Sequence, residues 1–394
     1  MAFSIALIVL FGLLSDYLFT RMKLPGLLGM LLVGILCGPY VFNIIQPELL
    51  KVSADLRMVA LIVILLRAGL ELRRDILNRV GKTVAVMSCV PAIFEGVVVF
   101  LLAPYILGIS YLEAAILGAI LAAVSPAVVV PLMLKFIHQK KGTKKGIPTL
   151  LLGASSVDDV FVIVVFSILL GMSTGAQSNI WIKLLEIPES IILGIALGAF
   201  SGYIIYHLFD RFKLRATKMT IVVVAVSVLL IWVEEELKTK IAISALLGIM
   251  TIGFILIEKS EIRAHKISHK LTKIWIFAEI LLFVLVGAQV NITVAFKAGL
   301  AGAVLIVVAL IARSIGTYLS VMRTDLTFKE RLFCVISYIP KATVQAAIGA
   351  VPLEAGVKSG DIILAIAVLS ILLTAPIGAI GITKTGDRWL EREK

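Results

Sequence analysis

Residues 146–172 read GIPTLLLGASSVDDVFVIVVFSILLGM. The stretch contains no base, and its only charges are Asp158 and Asp159, side by side near the middle. A bilayer crossing takes about 20 apolar residues, so this is a membrane-spanning helix with two carboxylates at its centre. One aspartate at that depth costs roughly 2.5–3.5 kcal/mol on insertion scales. Accepting that cost twice, with like charges adjacent, has no rationale in stability, and the pair is read as a functional site. Adjacent helical residues point about 100° apart, so one aspartate can face a site while the other flanks it. Burial and mutual repulsion oppose ionising both, which makes the pair titrate as a coupled unit. A proton and a cation can then compete for the same oxygens.

The rest of the chain has the same character. Of 394 residues, 60% are hydrophobic and 16% charged, with a mean hydropathy of +1.08. A soluble domain is usually about half apolar and a quarter charged. Thirteen apolar runs follow one another at 2–20, 24–45, 57–72, 83–107, 112–134, 147–171, 187–207, 219–233, 241–257, 274–290, 298–322, 332–353 and 361–383. The expected class is an all-α integral membrane protein with thirteen transmembrane helices. The run from Ala2 to Thr20 has no basic residue before it and no small-residue cleavage site after it, so it reads as the first span.

The net charge of +12 raises the question of nucleic acid, but its placement answers it. Of 37 lysines and arginines, 27 lie in alternate connections and the carboxyl-terminal tail, and only 7 in the opposite connections. That is the positive-inside pattern, with the amino terminus outside and the carboxyl terminus in the cytoplasm. A bacterial inner membrane is the expected host, with organellar or plasma membranes as alternatives. No nucleic-acid partner is implied. The three remaining bases, Arg67, Arg313 and Lys341, lie within apolar runs. Cys37, Cys89 and Cys334 form no CxxC pair, and the four histidines sit in basic loops, so no cofactor or transition-metal site is expected.

With the seventh run as connector, runs 1–6 and 8–13 become two sets of six in opposite orientation. Runs 5 and 12 are then counterparts, and proline interrupts both. Run 5 contains Ser125-Pro126-Ala127-Val128-Val129-Val130-Pro131, and run 12 contains Ile339-Pro340-Lys341-Ala342-Thr343-Val344. Matched broken helices in two inverted halves are the sequence pointer to a transporter's binding site. The cation ligands expected there are Asp158, Asp159, Ser155 one turn before Asp159, and Ser125 at the first break. Carbonyls freed by Pro126 and Pro131 complete the shell. Lys341, at the second break, is expected to neutralise carbonyl-rich helix ends and to hold the empty carboxylates. Glu95 and Arg313, on counterpart runs 4 and 11, are expected to form an ion pair that tunes the site or holds two helices together. Arg67 and Asp16 lie near charged ends, where snorkelling is the default.

Four strings carry a resemblance: LLRAGLEL (65–72), AAVSPAVVVPLM (122–133), GIPTLLLGASSVDDV (146–160) and IPKATVQAAIG (339–349). They resemble the monovalent cation/proton antiporter superfamily, and within it the NHA branch of sodium/proton antiporters, the sodium/hydrogen exchanger B-type subgroup. The resemblance implies the NhaA-like antiporter fold, a homodimer in a lipid bilayer, and elevator-like exchange of H⁺ for Na⁺ or Li⁺. Scaffold helices would occupy 1–80 and 212–290, a linker helix 186–208, and transport-core helices 82–172 and 297–384. It makes Asp159 the main cation ligand and proton carrier, with Asp158 its partner. Lys341 becomes the crossover lysine, and Glu95 with Arg313 the core ion pair. Strongly electrogenic relatives with paired aspartates carry lysine where this chain has Arg313. Arginine does not deprotonate, so one-for-one, electroneutral exchange is expected.

The alternatives are a K⁺/H⁺ antiporter or K⁺ efflux protein, and a sodium-coupled organic-solute symporter, which would not need two buried carboxylates. An enzyme is not expected: an intramembrane aspartyl protease needs its aspartates on different helices and a GxGD motif, and neither occurs here.

Overall fold

The computed structural model describes all residues except 23, 72–73, 175–179, 213, 238–240, 242 and 393–394. Lys23, Leu72, Arg73, Lys213, Lys238, Lys240 and Lys394, used above in the charge pattern and the first string, therefore lie outside the described residues. Among those described, every regular element is an α-helix. The first five are α1 (Ala2–Arg21), α2 (Gly26–Cys37), α3 (Pro47–Lys51), α4 (Ser53–Glu71) and α5 (Arg74–Leu107). The fifth apolar run is broken into α6 (Tyr111–Ala122) and α7 (Pro126–His138). There follow α8 (Ile147–Thr174), α9 (Ile180–Phe212), α10 (Ala216–Leu237), α11 (Ala245–Lys259), α12 (Glu261–Gln289) and α13 (Ile292–Val321). The twelfth run is broken into α14 (Phe328–Ser337), α15 (Thr343–Ile348) and α16 (Val351–Glu354), and α17 (Gly360–Trp389) ends the series. Eight of these helices are long and apolar enough to cross a membrane.

Several ends differ from the apolar runs, for local reasons. The second run was expected to continue to residue 45, but α2 stops at Cys37, because Pro39 cannot continue a helix and restrains the residue before it. Conversely, α12 begins at Glu261 rather than near 274. Its first turns, EIRAHKISHKLTK, are too charged for a bilayer but helical all the same. Hydropathy marks the depth of a crossing, while hydrogen bonds mark the helix. Pro91, Pro104 and Pro376 sit inside α5 and α17 without ending them. The break in run 5 is likewise confined to residues 123–125. Position 131 falls within α7, which runs unbroken to His138.

The chain divides into two compact units, Met1–Ala54 with Arg79–Thr174 and Ile280–Lys394, and Asp55–Asn78 with Gly175–Glu279. In the second, α9 and α11 cross closely enough that a Cβ on Gly198 would lie 2.2 Å from the Gly248 carbonyl oxygen. Small residues at such contacts let membrane helices gain packing contacts where no hydrophobic effect drives them together. Arg57, counted above with the loop bases, is 2% exposed. Arg67 lies with its guanidinium 5.9 Å from the Trp275 ring centroid.

The first unit holds the two broken runs. Both begin with a capping box: Ser110 Oγ accepts from the Glu113 N–H, and Thr327 Oγ1 accepts from the Glu330 N–H. In each, the glutamate accepts in return from the cap residue's own N–H, so two orphan donors are satisfied at each helix start. A buried cluster including Met133, Phe136, Leu151, Phe333, Cys334 and Ile382 packs α7, α8, α14 and α17 together. Phe136 meets Phe333 edge-on at 5.9 Å.

Candidate functional site

The two breaks lie against each other. The Ser125 N–H donates to the Pro340 carbonyl at 2.8 Å, so the last residue of the break in one run is bonded to the proline that breaks the other. Behind them, α17 passes so near that a Cβ on Gly378 would fall 2.2 Å from the Pro340 ring.

A helix end leaves its last carbonyls without partners in the helix. At the end of α6, four successive carbonyls are capped by side chains from the far half of the chain. Gln345 Nε2 donates to Ile120 and Ala123, at 2.9 Å each. Lys341 Nζ donates to Leu121, and Arg313 Nη1 to Ala122. Of the carbonyls expected to be freed by the prolines, that of Ala122 accepts a hydrogen bond from Arg313. The capping expected of Lys341 is present, shared with Arg313 and Gln345.

The charged groups form one buried network. Glu95 receives Arg313 Nη1 at 2.9 Å and Lys341 Nζ at 2.7 Å. Arg313 Nη2 reaches Asp158 at 3.3 Å, and Arg313 Nε donates to the Tyr338 carbonyl at 2.8 Å. The Tyr338 ring lies against the same guanidinium, 5.2 Å from its centre, a cation–π contact. Asp158 also accepts the Val124 N–H at 2.7 Å. All four ions are at most 1% exposed. The ion pair expected between Glu95 and Arg313 is therefore present, and it is part of a four-member chain. Lys341 was expected to hold the aspartates, but its ion-pair partner is Glu95.

Asp159 stands apart. It is 5% exposed, and its Oδ1 is buried without a hydrogen-bond partner. Ser155 is buried, but its hydroxyl donates back to the Leu152 carbonyl at 3.1 Å. Ser125 Oγ lies 3.5 Å from Thr343 Oγ1. Thr343, Gln345 and Tyr338 were not identified from the sequence. The available signal was that Thr343 and Gln345 are the polar side chains following Lys341 in an otherwise apolar string. Thr374 was also missed, and its hydroxyl accepts the Lys341 N–H at 2.9 Å.

Crossed broken helices enclosing a buried ion network and an unpaired carboxylate, in a chain of apolar spans, define a membrane transporter for a small cation. Comparison with known proteins agrees. The family described as sodium/hydrogen exchanger, transmembrane, matches residues 5–386. Sodium/hydrogen exchanger 9B2 of Pongo abelii is 36% identical over 396 residues, covering 95% of this chain and 71% of that protein. Sodium/hydrogen exchanger 9B1 of Homo sapiens is 32% identical over 385 residues, covering 94% and 73%. Among solved structures, the sodium proton antiporter MjNhaP1 of Methanocaldococcus jannaschii at pH 8 superposes with a TM-score of 0.84 at 20% identity, covering 98% of this chain and 97% of that one. The chain belongs to the sodium/hydrogen exchanger family. It is a monovalent cation/proton antiporter, a transporter and not an enzyme.

Proposed function

We propose that Na⁺, or Li⁺, and H⁺ compete for Asp159, and that the exchange is one for one. The observation that carries this reading is the unpaired carboxylate beside a network whose charges cancel. Glu95 and Asp158 contribute two negative charges, Arg313 and Lys341 two positive ones, and the contacts among them are 2.7–3.3 Å. Asp159 is left as the one carboxylate of the group without a cationic partner. With a proton bound it is neutral, and with a monovalent cation bound its net charge is also zero. Both loaded states then carry the same charge across the membrane.

The topology proposed is thirteen crossings in two inverted six-helix repeats, with the amino terminus outside. The capping boxes support it. Glu113, at the start of α6, also accepts the Ser359 N–H just before α17, at 2.8 Å. Glu330, at the start of α14, receives Lys145 just before α8, at 2.7 Å. Each broken run is therefore tied to the entrance of the opposite half's last helix, as a pseudo-two-fold relation requires. A transport core of 82–172 and 297–384 would move in an elevator-like way against scaffold helices in 1–80 and 212–290, with 186–208 as linker, in a homodimer. The proposed host is a bacterial inner membrane.

The test is transport in proteoliposomes with an internal pH dye and added Na⁺, Li⁺ or K⁺. Asp159→Asn should abolish cation-driven proton movement while the protein stays folded. A near-native dye response in that variant rejects the site. Clamping the voltage with valinomycin and K⁺ should leave the Na⁺/H⁺ rate unchanged. A rate that follows the clamp, or current on a solid-supported membrane that scales with transport, rejects one-for-one exchange.

A further inference from the structure

Gln345 stands out in the ion network because it is the one neutral side chain capping the end of α6. It lies on α15, directly after the second break, and is fully buried. Its amide nitrogen spends both hydrogens on the first and last of the four capped carbonyls, Ile120 and Ala123. The charged caps, Lys341 and Arg313, take the two between them. The other end of the same amide, Oε1, is buried without a hydrogen-bond partner. An oxygen in that position accepts only, and leaving it bare in a low-dielectric interior is costly. The only carboxylate oxygen of the two aspartates in the same condition is Asp159 Oδ1.

Gln345 and Asp158, the neighbour of Asp159, hold consecutive residues of the break in run 5. Ala123 O is held by Gln345, Val124 N by Asp158, and Ser125 N by Pro340. Two residues before Gln345, on the same helix, Thr343 Oγ1 meets Ser125 Oγ. A dehydrated monovalent cation needs several oxygens, and the carbonyls of residues 120–123 each already accept a hydrogen bond, whereas Gln345 Oε1 accepts none. A neutral oxygen supplied here also leaves the charge balance untouched, whereas a fourth carboxylate beside Glu95, Asp158 and Asp159 would not.

We propose that Gln345 has two roles at the ion site: its nitrogen fixes the carbonyl end of α6, and its Oε1 is a neutral ligand to the transported Na⁺ or Li⁺. This rests on the reading of Asp159 as the exchange site. Because the nitrogen is committed to two carbonyls, the amide cannot flip, and Oε1 is presented in one orientation. Size selection among alkali cations then depends on where this amide is held, as well as on Asp159.

The experiment compares Gln345→Met and Gln345→Glu with the native protein and with Asp159→Asn in the same vesicles. Dye responses are measured over a range of Na⁺ and Li⁺ concentrations and of pH, and folding is followed by size exclusion and melting in detergent. Gln345→Met keeps the length but loses both donors and the oxygen. It should raise the apparent KM for Na⁺ and Li⁺ by about tenfold, the loss of a ligand contributing roughly 1.4 kcal/mol. Gln345→Glu keeps an oxygen but turns a carboxylate toward two carbonyls, a contact relieved only when a proton is bound. Its activity should fall as pH rises and recover in acid, with a profile displaced from the native one. A role in packing alone lowers the yield or melting temperature of both variants but leaves the KM and pH profile of the folded fraction native. That outcome overturns the proposal, as does a native KM in stable Gln345→Met. If Asp159→Asn still transports, the underlying site reading has failed instead, and the two failures are told apart in one data set.

Discussion

Removing the charge of Glu95 should reveal which of its two cations depends on it. Glu95→Gln leaves Arg313 and Lys341 facing a neutral amide at 1% and 0% exposure. Their situations then differ. Arg313 keeps Asp158 at 3.3 Å, the Tyr338 carbonyl at 2.8 Å, the Ala122 carbonyl and the face of the Tyr338 ring. Lys341 keeps only the Leu121 carbonyl among its side-chain partners. Breaking a buried pair by deleting one partner costs roughly 3–5 kcal/mol, because a charge is stranded. Most of that loss should therefore trace to Lys341. Adding Lys341→Met removes the stranded charge and leaves Arg313 with Asp158. Adding Arg313→Ala instead leaves Lys341 and Asp158, which are not ion-paired with each other. Glu95→Gln with Lys341→Met should thus recover much of the loss, with a coupling energy of about 1–3 kcal/mol. Glu95→Gln with Arg313→Ala should recover much less. The assay is thermal or denaturant unfolding of the purified protein in detergent, for the four single and double variants and Lys341→Met. Additive losses in both cycles would mean that Glu95 does not hold these cations. A larger recovery with Arg313→Ala would mean that Arg313, and not Lys341, is the dependent member.

At the charged end of α14, burial pushes the Glu330 carboxyl up. The hydrogen bond from Lys145, the Thr327 N–H and the Lys145 charge outweigh it and hold the group below the ordinary glutamate range. A group lowered on folding adds stability above its unfolded pKa and loses it as pH falls through the folded value. Lys145→Ala should therefore move the acid melting of this end to higher pH, with a loss at neutral pH of no more than about 1 kcal/mol. Hydrogen exchange of residues 327–331 against pH checks it, and an unchanged acid midpoint contradicts it. Gly378→Val should crowd the Pro340 ring, costing about 1–3 kcal/mol and slowing transport more than an equally bulky change on the outer face of α17. Equal effects at the two positions would show that the contact with the break is not critical.

Much of this architecture can be read from composition because a membrane makes it explicit. Apolar runs, their prolines and their alternating basic connections are imposed by the bilayer and survive in one dimension. Asp158, Asp159, Glu95, Arg313 and Lys341 are legible for the same reason, since a charge inside an apolar run costs too much to be incidental. Their partners are another matter. Glu95 and Arg313 could be paired by placing both on counterpart runs, but nothing in the spacing says that Lys341 also turns to Glu95. That choice depends on which carbonyls the break at residues 123–125 sets free and from which side they are approached. Gln345 was passed over because an uncharged amide carries no large insertion penalty.

The network also explains why an arginine and a lysine serve different ends here. Arg313 carries a planar fork of donors, and four acceptors converge on it: Glu95, Asp158, and the carbonyls of Ala122 and Tyr338. A lysine could not serve that set, since it has three donors on one nitrogen and no plane to present. Lys341 emerges directly from the broken backbone, with its own N–H tied to Thr374 and its ammonium to Glu95 and Leu121. A compact charge on a flexible stem suits that place. With the guanidinium permanently charged and spread over Glu95 and Asp158, Asp158 stays paired, and on the proposed reading Asp159 alone changes occupant. The adjacent aspartates thus have different surroundings: the protein supplies a cation to Asp158 and leaves an oxygen of Asp159 without a partner, which is what the proposed exchange at Asp159 requires.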